Sequence, residues 1–134
     1  MLVSLTPSNE INEASINTLV DRFYIRVRQD ELLGPFFANA IRGDWEPHLE
    51  TMRAFWSSLM LASGRYKGNP MMAHLVLPRI GSVHFERWLG IWKQTTSELF
   101  SPEAASLFLR KAQSMAERLL ETIDRHHASL AATS

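Results

Sequence analysis

Apolar residues recur along this chain at every third or fourth position, the spacing that turns one face of a helix inward. Asn12 is placed to cap a first helix, in which Ile16, Leu19, Val20, Phe23, Tyr24 and Val27 form the stripe until about Gln29. Leu33-Gly34-Pro35-Phe36-Phe37 interrupts the period and predicts a short turn. Gly43-Asp44 opens the next helix, whose first turn tolerates Pro47 and whose apolar face carries Trp45, His48, Met52, Phe55, Trp56 and Leu59. After a loop over 64–69, Asn69 and Pro70 start a short helix that carries His74 and ends at Pro78. Ser82 reads as the cap of a segment with Phe85, Trp88, Leu89, Ile91, Trp92, Thr95 and Leu99. Ser101-Pro102-Glu103 supplies a cap, a proline at the first position and an acid in the first turn. The helix it starts carries Leu107, Phe108, Ala112, Met115, Leu119 and Ile123 to about His127. Residues 128–134 are small and polar and read as a frayed tail. No stretch alternates with period two over a useful length. The pattern predicts one all-α domain over 1–134, with its core at about 11–127, five main helices and one short one.

Composition narrows the functional classes. Lys plus Arg and Asp plus Glu each total 14 in 134 residues, so no net charge marks a nucleic-acid or anionic-membrane surface. The absence of cysteine excludes disulfides, thiolate catalysis, Cys-ligated zinc and iron–sulfur clusters. No apolar run reaches membrane-spanning length, and the residues from Met1 to Pro7 lack the basic region of a signal peptide. The expected compartment is the cytoplasm. Four Trp, seven Phe and six Met make a heavy load of large side chains, which suits either an aromatic core or a large flat apolar ligand.

His74 turns that alternative into chemistry. It stands in Met71-Met72-Ala73-His74-Leu75-Val76-Leu77, and no acidic residue lies between Gly64 and Gly81 to complete a zinc or di-iron ligand set. A neutral imidazole among apolar neighbours suits an iron whose other ligands come from a flat apolar cofactor, that is, haem. A lone histidine on an apolar helix face is also what a packed core residue looks like, and the segment by itself leaves both readings open.

The wider pattern resembles the truncated haemoglobins, and group III among them. The residues that carry the resemblance are Phe23-Tyr24, Gly34-Pro35-Phe36-Phe37, His48, Phe55-Trp56, Arg65-Tyr66-Lys67-Gly68-Asn69-Pro70, His74-Leu75-Val76-Leu77-Pro78 and Phe85-Glu86-Arg87-Trp88. They cover roughly residues 11 to 127 in order. The run from Tyr66-x-Gly68-x-Pro70 to His74-x-x-Leu77-Pro78 is the most family-specific, and the paired-glycine motifs of the other two groups are missing. The resemblance implies a two-over-two helical sandwich around haem b. It makes His74 the proximal iron ligand, Tyr24 the distal tyrosine, Trp88 the distal tryptophan and His48 the residue at the distal gate. Phe37, Met52, Phe55, Leu75 and Arg79 are expected around the cofactor, with Arg65, Tyr66, Lys67 and Arg79 the candidates for its propionates.

Such a site would bind dioxygen, nitric oxide or carbon monoxide. Tyr24, Trp88 and His48 offer three N–H or O–H donors to a ligand that gains negative charge on iron, more than reversible storage requires. Oxidation of nitric oxide to nitrate, with a separate reductase, or slow peroxide chemistry without a thiolate push would follow. A carrier or gas sensor without turnover is a second reading, and a haem-free helical interaction module a third. Each residue also has a plainer role. Tyr24 could be a core tyrosine, and His48 a surface residue. Trp92, one turn from Trp88, reads as packing. His84 in a first turn is expected to be solvated, and His126 and His127 suit the end of a helix without further function.

Overall fold

The computed structural model describes residues 10–70, 74 and 80–133; five helices are bounded within them, and Pro70 and His74 are helical as well. Helix α1 (Glu13–Gln29) begins with a reciprocal capping box: Ser15 N–H donates to Asn12 Oδ1 at 2.8 Å, and Asn12 N–H donates to Ser15 Oγ at 2.9 Å. Its stripe of Ile16, Leu19, Val20, Phe23 and Val27 is completely buried, with Tyr24 beside it.

Helix α2 (Leu33–Ala40) stands where the interrupted period predicted a turn. Asp30 explains the difference. Its Oδ2 accepts the N–H groups of Leu32 and Leu33, both at 3.0 Å, which satisfies two donors that the start of a helix leaves free. Pro35 falls in that first turn, where its missing N–H costs nothing. Gly34 lets the two helices meet closely, since a Cβ there would lie 2.7 Å from the Arg28 carbonyl oxygen.

Helix α3 (Glu46–Leu61) follows a bend at Gly43, whose φ of 83° favours glycine. Asp44 Oδ1 accepts the Glu46 N–H at 3.0 Å, as the Gly43-Asp44 signal implied. Helix α4 (Ser82–Leu99) is capped by extended Gly81, not by Ser82, and His84 Nδ1 accepts the Gly81 N–H at 3.1 Å. Helix α5 (Pro102–Thr133) runs on to Thr133, beyond the expected end near His127. Residues 128–133 contain no glycine or proline to stop it, and their three alanines favour continuation.

Helix α1 packs against α2, α3 and α4, and α4 packs against α5. The result is two helix pairs, α1–α3 and α4–α5, joined through α1 and α4. Trp92 is the hub. Fully buried, it stacks on Trp56 at 4.3 Å and on Trp88 at 5.7 Å and meets Phe23 edge-on at 5.0 Å. Its indole N–H donates to the Phe108 carbonyl at 3.2 Å, so the buried polar atom is satisfied.

A polar seam fixes the segment that leads from α3 to His74. Fully buried Ser57 donates to Glu13 Oε2 at 2.6 Å and shares a hydrogen bond with Ser63 at 2.7 Å. Ser58 Oγ accepts the Tyr66 N–H at 2.8 Å. Arg65 pairs with Glu13 and Glu50, and Arg53 joins Asp21 on α1 to Glu46 on its own helix. Arg26 ties α1 to Thr95 and Glu98 on α4, and Arg87 reaches back to Asp30.

Candidate functional site

Between the two pairs lies a cavity of about 360 Å³, lined by all five helices and by the segment that carries His74. Its wall is mostly apolar: Leu33, Phe36, Phe37, Met52, Phe55, Trp56, Ile80, Phe85, Met115 and Leu119 all contribute. Among the described residues its polar side chains are few, namely Tyr24, Thr51, Tyr66, the indole of Trp88 and the histidines His48, His74 and His84. An apolar cleft with a few convergent polar atoms is the usual form of a cofactor site.

His74 is held by its own turn. Its Nδ1 lies 2.7 Å from the Pro70 carbonyl oxygen, an acceptor that obliges Nδ1 to carry the proton. Nε2 is left with its lone pair, the tautomer of a metal-ligating imidazole whose second nitrogen is oriented from behind. Among the described residues no three histidine or carboxylate side chains come together to hold a metal ion.

Tyr24 presents the opposite chemistry. The ring packs edge-on against Phe23 at 4.9 Å and His48 at 5.1 Å, and burial pushes its phenol well above the ordinary range. The hydroxyl is therefore a donor and never a phenolate under ordinary conditions. His48 sits on the first turns of α3 with its Nε2 buried and without a hydrogen-bond partner in the described residues. Burial lowers its pKa, so the neutral form is favoured. An orphaned buried nitrogen on a cavity wall is what a site looks like whose polar partner is a ligand. Trp88 lines the same cavity, braced by Trp92 behind it and by Phe23 edge-on at 5.5 Å. Trp92 takes no part in the wall, and packing is its role.

The structure thus brings Tyr24, His48, His74, Trp88, Phe37, Met52 and Phe55 to one cavity. Leu75 and Arg79, also expected there, lie outside the described residues. Of the propionate candidates, Tyr66 lines the cavity, with its ring 5.2 Å from Phe55, whereas Arg65 is engaged by Glu13 and Glu50 and Lys67 does not reach the wall.

His84 corrects an expectation. It is half-buried, packs 5.4 Å from Phe36 and lines the cavity. Because Nδ1 accepts from the Gly81 N–H, Nε2 carries the proton and is a donor. First-turn position suggested solvent; the neighbouring α2, unforeseen as a helix, covers it instead. Met115 and Leu119 on α5 also join the wall, and nothing in their spacing separates them from ordinary core positions.

These residues fit haem: an imidazole nitrogen for iron, apolar walls for a flat macrocycle, and the unpartnered Nε2 of His48 on the wall for a small ligand. Comparison with known proteins agrees. The bacterial-like globin family model matches residues 11–126. A Group 3 truncated hemoglobin of Campylobacter jejuni is 36% identical over 109 residues, covering 79% of this chain and 86% of that protein. The crystal structure of a group III truncated hemoglobin from Campylobacter jejuni superposes with a TM-score of 0.83 at 33% identity, covering 88% of this chain and 95% of that one. None of the described helices is long and apolar enough to cross a membrane. With its five helices packed as two pairs around an apolar cavity that holds His74, this chain belongs to the group III truncated haemoglobins.

Proposed function

We propose that the chain binds haem b through His74 Nε2 and takes dioxygen, nitric oxide, carbon monoxide or a similar small molecule in the space walled by Tyr24, His48 and Trp88. The observation that carries this reading is the His74–Pro70 hydrogen bond, which leaves Nε2 as a free lone pair in the same cavity as the orphaned Nε2 of His48. When bound, haem supplies a ferrous iron whose diatomic ligand gains negative charge. The protein's part is to place donors. The Tyr24 hydroxyl and the Trp88 indole N–H are held rigidly by packing, and His48 adds a third where a neutral imidazole can point one N–H inward. Phe37, Met52 and Phe55 exclude water, which strengthens each hydrogen bond to a charged acceptor.

Three donors around one ligand favour redox use over simple carriage. We assign the site to nitric oxide oxidation to nitrate or to slow peroxide chemistry, with a separate reductase returning the electron. The absence of cysteine fits the cytoplasm as its compartment.

Absorption spectroscopy tests the core of the reading. Purified or haem-reconstituted protein should show an intense Soret band at one haem per chain. His74→Ala should lose haem or change its ferrous spin state. A variant with wild-type spectrum and stoichiometry would remove His74 as the ligand and pass the role to His48. A chain that takes up no haem would leave only the helical-module reading.

A further inference from the structure

Among the described residues, His48 meets the cavity wall through rings, with no hydrogen bond to its buried Nε2. The lack of a partner for that nitrogen favours turning the ring out to water. Three aromatic rings oppose that turn: Tyr24 at 5.1 Å, Trp45 at 5.6 Å and Phe37 at 6.4 Å. Tyr24 and Phe37 line the cavity themselves. Trp45 does not; it is half-buried, stands one turn before His48 and meets it edge-on at 87°. The guanidinium of exposed Arg28 lies over it at 4.5 Å. The Trp45 indole is thus clamped between a cation at the surface and the Tyr24, Phe37 and His48 rings beneath. It sits just after the bend at Gly43, where the backbone leaves α2 for α3.

We propose that Trp45, locked by Arg28, is the latch that holds His48 inside the cavity and so sets the rate at which a ligand enters. The inference rests on the haem reading above. Trp45 is a positioning residue: it is absent from the cavity wall and acts through His48.

Carbon monoxide rebinding after flash photolysis of the haem-loaded protein tests it, with diethyl pyrocarbonate labelling of His48, read by mass spectrometry, as a second measure. Exposed aromatic–cation contacts are worth about 0.5–1 kcal/mol, so Arg28→Met should speed association about two- to fivefold. Trp45→Ala removes the ring as well and should speed it about tenfold or more, with faster labelling of His48 and an unchanged rate at His126 and His127. Trp45→Phe should restore most of the wild-type rate. In a His48→Ala background, Trp45→Ala should add nothing, since the latch has nothing left to hold. An equal acceleration with and without His48 would overturn the proposal and make Trp45 a plain plug. So would an unchanged rate in Trp45→Ala or Arg28→Met where His48→Ala alone accelerates entry. His48→Ala without effect in a protein of normal Soret absorbance would overturn gate and latch together. Failure of the wild type to take up haem, by contrast, would strike the reading beneath.

Discussion

Tyr24 joins a buried ring to a single polar atom, and that pairing makes it the cleanest probe of the cavity. A hydrogen bond to a charged acceptor contributes roughly 1.5–3 kcal/mol. Tyr24→Phe should therefore speed dioxygen release on the order of 10- to 100-fold, because about 1.4 kcal/mol is a factor of ten. Carbon monoxide gathers little charge, and its release should change far less. Stopped-flow replacement of one gas by the other measures both. Equal effects on the two gases would mean that Tyr24 shapes space and donates no hydrogen bond, and a wild type that already releases dioxygen quickly would favour carriage over turnover. At this scale the sequence singled out residues that the fold brings to one cavity. His74 announced itself by an apolar run without carboxylates, and Tyr24, His48 and Trp88 by their places in the motif. His84 was misjudged because its cover comes from Phe36, forty-eight positions earlier by number, on an element the spacing did not reveal.

Helix α2 depends on one carboxylate. Asp30 Oδ2 caps its first N–H groups while Oδ1 accepts from Arg87 Nε at 2.6 Å, so one side chain starts α2 and ties it to α4. Burial of Asp30 opposes ionisation, but the Leu33 N–H, Arg87 and the Leu32 N–H together outweigh it and hold the carboxyl below its ordinary value. A folded-state value lowered in this way contributes stability that is present above the unfolded value near 4 and is lost as pH falls through the folded one. Asp30→Asn should lower stability at pH 7 by about 1–2 kcal/mol, the magnitude of a lost cap with a charged bond, and should flatten the acid limb of the stability curve. Urea titrations at pH 7 and at pH 3 read both. An acid limb as steep as the wild type's would show that other carboxylates govern it. The sequence held the cap in plain view, as an Asp three positions before Leu33, yet Gly34 and Pro35 read as a break. Gly34 is there for the Arg28 carbonyl, a contact between helices that no local pattern encodes.

Across the whole molecule, all five helices contribute to one cavity, so filling it should stabilise the entire fold. Haem at a hundred times its dissociation constant adds about 2.7 kcal/mol to unfolding. For a chain of this size that amounts to roughly 10 °C in Tm. Calorimetry of the haem-free and reconstituted protein should show that rise, graded with haem concentration. Coincident transitions would mean that cofactor binding and folding are uncoupled.

The one-dimensional pattern determined helix content, most helix starts and the core stripe of α1, because caps and periodicity act within a turn or two of the residue that bears them. Which face of each helix looks onto the cavity was left to the tertiary structure. Periodicity alone leaves Trp88 and Trp92, one turn apart on one stripe, equivalent; the resemblance told them apart, and packing between helices puts Trp88 on the cavity wall and Trp92 against Trp56 and Phe108. Met115 and Leu119 enter the wall for the same reason. Arg65 is engaged by Glu13, distant in sequence, a pairing that no local pattern encodes. Trp45 and Arg28 meet only because α1 and the start of α3 pack side by side. Local spacing can say that a side chain is apolar and inward; whether inward means core or cavity depends on the distances between helices, and those are set by contacts among residues far apart in the chain.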